Sequence, residues 1–551
     1  MKKYIISAIL AIPLLAACTD EWDDHYDAEN TTVNEGTLWE AMCSNSDLSN
    51  FVDLVEGVGY DITLDGSQVL TVFIPINDYL SSSYVEELID EYNEQANNGI
   101  DDDDNTVIKQ VVQNHISLYN YSMDNTGDSV KMTMMNGKYS YLTDGTVNGV
   151  SPLIKNQLYT NGILFTLDGI LDYYPNVSEY FSLDDDLDSI AAFFDSYNVY
   201  EFDADQSVEG EIVDGKTQYL DSVMNLTNVM YDELGYINRE DSNYWMLVPT
   251  DDQWKELYDE YIEYFNYDNT MNKRDSMINI MTHKAMLRGA IFNMNSQESL
   301  NDSAVSTAYS DGSWPYYRYL EPYSAGGVFA NITEDIDCSN GAVLKTSTWP
   351  IDKTETFFQE IKVEAENSYY QDSIAKAKTP ITTCTVESTN PFYGQVSENS
   401  YVEVDQLNTA SAPVIRYTIP DVLSNIGYDI YAVFVPALAY DTLATDRERL
   451  PIRLQIRYYY NTQDGTRLDY VEGVAPRFVN PETNTYYYTT TPDVVDTMLI
   501  ASDFEIPTCS YQTSTPEVMI QFEVQRASST STTYSNTLRL DCIVFKPHED
   551  E

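Results

Sequence analysis

The sequence predicts an α+β protein in which two copies of one mixed helix-and-strand unit precede an all-β, jelly-roll-like sandwich. Three observations carry that expectation. The stretch Thr71–Leu80 is an apolar run that a proline stops and a helix start follows. The same device returns at Tyr244–Trp254, where Trp-Met-Leu-Val-Pro leads into Thr-Asp-Asp. From about Thr354 onward apolar and polar residues alternate, the pattern of half-buried antiparallel strands.

At 551 residues the chain is too long for one hydrophobic core, and 43% hydrophobic content excludes a mostly disordered chain. A formal net charge of -60 excludes DNA, RNA and anionic membrane surfaces as natural partners. The beginning of the chain reads as targeting rather than fold. Lys2 and Lys3 precede the short apolar stretch Tyr4–Leu15, and Leu15-Ala16-Ala17-Cys18 resembles a bacterial lipoprotein cleavage box. Residues 1–17 are then a signal peptide, Cys18 the lipidated first residue of the mature chain, and 18–35 a tether. Thr19-Asp20-Glu21-Trp22-Asp23-Asp24 resembles the export signal of lipoproteins displayed on the outer face of an outer membrane. The expected location is the outer membrane, lipid-anchored and facing the exterior.

The first mixed unit, 36–178, opens with a helical pattern carrying Leu38, Trp39, Met42, Leu48, Phe51, Val52 and Val55. A strand ending at Pro75 follows, with Asn77 placed to cap the next helix, whose stripe is Leu80, Tyr84, Leu88 and Tyr92. Val107–Leu118 reads as a further helix containing His115-Ile116. Near the end come Asn161-Gly162, read as a tight hairpin turn, and Asp168-Gly169, read as a second turn. Pro75 to Asp78, His115-Ile116, Asn161-Gly162 and Asp168-Gly169, in that order, resemble a fasciclin domain over Thr37–Tyr174.

A second copy, 179–353, repeats the order with Pro249, Asp251, His283 and Asn340-Gly341. It lacks the closing Asp-Gly and has insertions near Asp203–Asp214 and Ser296–Gly327. The remainder, 354–551, is the sandwich. Its opening Lys362-Val363-Glu364-Ala365-Glu366 and closing Leu540-Asp541-Cys542-Ile543-Val544-Phe545 resemble carbohydrate-binding jelly rolls.

Reactive chemistry is hard to find. Zinc, acyl-transfer and phosphate-loop motifs are absent, and His115 and His283 read as equivalent structural histidines. Cys43, Cys338, Cys384, Cys509 and Cys542 form no Cys-x-x-Cys pair, so they read as buried thiols or as one disulfide within the last three. The acidic runs Asp101–Asp104, Asp184–Asp186 and Asp203 with Asp205 lack calcium-loop spacing and read as solvated, so neither a metal nor a cofactor is expected. With 89 acidic residues, a carboxylate pair of a cryptic glycoside hydrolase would go unnoticed. Aromatics are the better lead, with 46 tyrosines. The loop carrying Trp314, Tyr316, Tyr317 and Tyr319, with Tyr323, is the candidate ligand or partner surface.

The resemblance implies a non-enzymatic accessory component. Its role would be to help capture a glycan or peptide beside a TonB-dependent outer-membrane importer and that importer's surface lipoprotein. The alternative is a fasciclin-type adhesin binding cell-surface or matrix components.

Overall fold

The computed structural model describes residues 33–123, 129–143, 145–213, 216–296, 302–313, 315–466, 477–513 and 518–548, with side chains described outside 203–224, 296 and 311. The signal peptide, Cys18, most of the tether and Trp314 lie outside the described residues. Two compact units divide the chain at Asn176/Val177. No helix among the described residues is long and apolar enough to cross a membrane.

In the first unit the apolar runs form the middle of a four-stranded sheet. Leu70–Pro75 pairs in parallel with Gly162–Leu167 and antiparallel with Ile116–Leu118, and Pro152–Tyr159 closes the other edge. Both central strands are buried along their whole length, which is why they read as unbroken apolar runs. Helices Leu38–Cys43, Ser49–Gly57 and Ser82–Asn97 cover one face through Phe51, Leu54, Val55 and Leu88. Phe73, Phe165 and Leu167 face the other side, against Met132, Met134 and Leu142 of a small three-stranded sheet.

The second unit begins with the same plan. Tyr244–Leu247 pairs in parallel with Gly341–Thr346 and antiparallel with Ile291–Asn293, and Ile332–Cys338 takes the edge. Tyr244 faces Gly341 as Leu70 faces Gly162, so the two Asn-Gly pairs are in register.

Matching side chains do matching work. The Asn161 carbonyl oxygen accepts from Leu38 N at 2.8 Å, while its amide donates to the Leu64 and Gly66 carbonyls at 2.9 and 2.8 Å. The Asn340 carbonyl oxygen accepts from Val177 N at 2.9 Å and its amide donates to the Ile237 and Arg239 carbonyls at 2.7 and 2.9 Å. Each asparagine thus supplies an orphan N–H at a helix start and two loop carbonyls. Each pair does sit at a tight hairpin, Tyr159 facing Gly162 and Cys338 facing Gly341, and the glycine has positive φ there; close approach of the neighbouring strand is a second reason for it. A Cβ on Gly162 would lie 2.0 Å from the Leu70 carbonyl oxygen, and one on Gly341 1.8 Å from that of Tyr244.

Three sequence expectations are corrected here. Asn77 does not cap the helix that follows it; Ser81 does, accepting from Tyr84 N at 3.3 Å. Asn77 instead accepts from Asn50 N at 3.0 Å, capping the preceding helix Ser49–Gly57, whose own N-cap residue Leu48 has no suitable side chain. Asp251 does the same for Ser189 at 2.9 Å and the helix Asp188–Asp195, and Thr250 caps Asp251–Tyr261.

The segment from Val107 is the second correction. It is a π-helical turn, Ile108–Val112, then a single turn of 3₁₀ helix, then the edge strand at Ile116. His115 is the third. Strand register equates Ile116 with Ile291, so the counterpart of His115 is Ala290 and not His283. His115 is buried, its Nδ1–H donating to the Val111 carbonyl at 2.7 Å and its Nε2 accepting from Leu171 N at 3.0 Å. His283 packs among Phe193, Trp254 and Tyr258.

The first insertion contains a long two-stranded ribbon, Asn198–Val213 with Lys216–Asn228. The sandwich that ends the unit has a six-stranded sheet built on Leu538–Pro547 and a five-stranded sheet built on Val518–Val524. Val402, Ile430, Leu540 and Ile543 of one sheet meet Ile415, Leu454, Ile520 and Phe522 of the other. That core runs on without a break through Phe357 to Tyr261 and Phe265. The pattern change near 354 is therefore not a division between cores.

Asn161→Ala is expected to destabilise the first unit by about 2 to 4 kcal/mol, since it leaves three buried backbone groups unpaired. Chemical denaturation followed by circular dichroism measures it, and a loss below about 1 kcal/mol would remove the clamp from the account. His115 adds a pH dependence. Burial lowers its pKa from 6.5 to about 4, so the native state holds fewer protons than the unfolded chain between those values. Stability present above pH 6.5 should fall as the pH drops toward 4, by roughly 3 kcal/mol in all, and His115→Gln should flatten that slope.

Candidate functional site

The two ends of the sandwich sequence meet at one place. Ile361–Glu364 pairs antiparallel with Leu538–Pro547, setting Glu364 opposite Cys542. Period two puts Lys362, Glu364 and Glu366 on one face of their segment, while Val363 and Ala365 enter the core. Along its other edge Leu538–Pro547 pairs with Tyr428–Phe434 and bulges between Leu540 and Ile543. A bulge re-aims side chains, and here Asp541, 1% exposed, lies beside Glu364. Ligand atoms of Glu364, Asp541 and Cys542 all lie within 4.8 Å of one another.

The cluster is not self-sufficient. Asp541 Oδ2 accepts from Ser397 N at 3.1 Å, and Glu364 Oε1 accepts from Ser397 Oγ at 2.6 Å and pairs with Lys362 Nζ at 2.9 Å. Asp541 Oδ1 and Glu364 Oε2 are buried with no hydrogen-bond partner. Burial pushes the Asp541 carboxyl up to about 7; the Ser397 N–H opposes this, while Glu364 and Glu366 reinforce it. Burial likewise raises the Glu366 carboxyl and the Cys542 thiol, so the thiol stays protonated. Orphan carboxylate oxygens beside a protonated thiol suit a hard, oxygen-seeking divalent cation such as calcium and not zinc. Glu364 and Asp541 would hold it, and its charge would join the first and last strands of the sheet.

Two of the acidic runs have other partners, and the side chains of Asp203 and Asp205 lie outside the described residues. Asp184 binds Lys345 Nζ at 2.5 Å and accepts from the Tyr180 hydroxyl at 3.0 Å, and Asp104 pairs with Lys109 at 3.2 Å on the surface.

The aromatic loop divides. Tyr317 is 5% exposed with the Arg288 guanidinium 5.7 Å from its ring centroid, and Tyr319 is 2% exposed with its hydroxyl donating to the Gly289 carbonyl at 2.9 Å. These two are core residues, out of reach of a ligand, because the insertion folds back on the edge strand through Phe292 and Phe329. Tyr316 is half-buried and its hydroxyl accepts from Glu360 N at 3.0 Å. Tyr323 is 50% exposed and leans on Phe329. Trp314 and Cys18 lie outside the described residues.

Residues 46–173 match the family model of the fasciclin domain. No curated protein matches the chain. Among solved structures it is similar to a FAS1 domain pair from the insect cell adhesion molecule fasciclin I. That likeness has 13% identity and a TM-score of 0.19, over 57% of this chain and 99% of that one. A xylan-binding domain of carbohydrate-binding family 22 is similar at 9% identity and TM-score 0.18, over 33% of this chain and 96% of that one. The C-terminal family 22 carbohydrate-binding module of Clostridium thermocellum Xyn10B is similar at 9% identity and TM-score 0.17, over 32% and 93%. Overlaps this low carry no argument. The α+β architecture, with a fasciclin plan used twice and then a β-sandwich, stands on the pairing and hydrogen bonds above.

Calcium at a hundred times its dissociation constant should stabilise the second unit by about 2.7 kcal/mol. Thermal melts in chelator and in calcium measure the shift. Asp541→Asn should abolish it, and an equal calcium response in that variant would rule the site out.

Proposed function

We propose that this chain is a non-enzymatic binding protein of the cell surface, with a lipid on Cys18 anchoring it to the outer face of an outer membrane. The match of residues 46–173 to the fasciclin domain is the observation that carries the binding role. The Lys2-Lys3 start, the apolar stretch and Leu-Ala-Ala-Cys18 support the anchor. In the finer reading the chain helps capture a glycan or peptide for a TonB-dependent importer and its surface lipoprotein. Adhesion to cell-surface or matrix components is the second reading, and the fasciclin match supports it directly while saying nothing of an importer. A glycosidase has less support: Asp541, the carboxyl raised to about 7, is 1% exposed and out of a substrate's reach.

Labelled palmitate should enter the wild-type protein and not Cys18→Ala, and protease added to intact cells should cut the wild type. Gentle solubilisation of the tagged protein should then recover the importer channel with it. Recovery of the protein alone would sink the importer reading and leave adhesion.

A further inference from the structure

A groove of about 450 Å³ lies between the helix Asp251–Tyr261 and the loop that leaves the strand Gly341–Thr346. Helical spacing puts Glu256, Leu257, Glu260 and Tyr261 on its helix wall, and Trp349 and Asp352 come from the loop. Leu257 and Tyr261 are buried and form an apolar floor, with half-buried Trp349 opposite. The rim is charged. Hydrogen bonds from Thr354 hold the Asp352 carboxyl below its ordinary range, so it is ionised at neutral pH. Lys353 Nζ is committed to Glu260 at 2.6 Å and to the Tyr264 hydroxyl at 2.6 Å. Lys353 offsets one of the three charges of Glu256, Glu260 and Asp352, acting on Asp352 as well as Glu260, so the rim keeps a net negative charge beside an aromatic and aliphatic floor.

We infer that this groove binds a basic side chain, lysine or arginine, presented by a polypeptide. An aliphatic stem matches Leu257 and the Trp349 ring, and a cationic head matches Glu256 and Asp352. A neutral sugar would use the ring and leave the charge unanswered, and an anionic ligand would be repelled. The inference rests on the binding-protein reading only for the use the cell makes of the groove. Titration of the purified chain reports on the groove whether or not an importer is ever recovered with it.

The test is calorimetric titration of the full chain with an acetylated tetra-arginine peptide at about 150 mM salt, where long-range attraction to the acidic surface is screened. A neutral oligosaccharide is the second probe. Single-site binding of the peptide is expected. Glu256→Gln, an exposed position that leaves folding intact, and Trp349→Ala should each weaken it by about five-fold or more. Asp102→Asn, in an exposed loop of the first unit, should leave it unchanged. Equal weakening by Asp102→Asn, no weakening by Glu256→Gln, or oligosaccharide binding that Trp349→Ala abolishes would each overturn the assignment.

Discussion

One buried amide in each fasciclin-like domain ties that domain's central strand to the helix and loop packed on it. Asn161 and Asn340 each present an acceptor to the first N–H of a helix and two donors to the loop that enters the central strand. Only a primary amide offers both functions on one short planar group; aspartate could not donate and a hydroxyl could not span three partners. The adjoining glycine belongs to the same constraint, because the parallel neighbour's carbonyl occupies the space a Cβ would take. Register between the two central strands, and with it the placing of every helix on the sheet, follows from that pair of residues.

How legible a feature was in the sequence depended on how local its cause is. Strands buried on both faces announce themselves as apolar runs, and Pro75 and Pro249 stop them where they stand. Capping by Asn77 was misread because its partner, Asn50, precedes it by a whole strand, whereas the local cap at Ser81 was passed over. His283 lies in a helix at a plausible spacing, and only strand pairing shows that Ala290 takes the place of His115. Tyr317 and Tyr319 looked like surface because they sit in an insertion, yet the insertion supplies its own core. Glu364, Glu366 and Asp541 stood at opposite ends of the sandwich sequence, and the bulge that turns Asp541 toward them leaves no mark in residue order.

Two buried charge clusters in the second unit show opposite solutions to the cost of removing ions from water. Lys345, 4% exposed, is met by Asp184, with Asp186 and Glu334 nearby. Burial alone would lower its pKa, but the contacts with Asp184 raise it, so the group is charged and compensated from within the chain. Around Asp541 the carboxylates outnumber the single lysine, and orphan oxygens remain. The first cluster is compensated within the chain, and the second keeps carboxylate oxygens that no hydrogen bond satisfies.

The strand Leu538–Pro547 pairs with Ile361–Glu364, Ser400–Val404 and Tyr428–Phe434. Every other member of that sheet reaches its neighbours through this late segment or through a strand that does. Without it the six-stranded sheet falls into three pieces, Ile361–Glu364 alone, Thr382–Thr385 with Ser400–Val404, and Tyr428–Phe434 with Asp496–Ala501, whereas the five-stranded sheet has all its strands before Leu538. The six-stranded sheet is therefore the last part of the sandwich to assemble, and a chain cut short before Leu538 would lose the seam that joins its pieces.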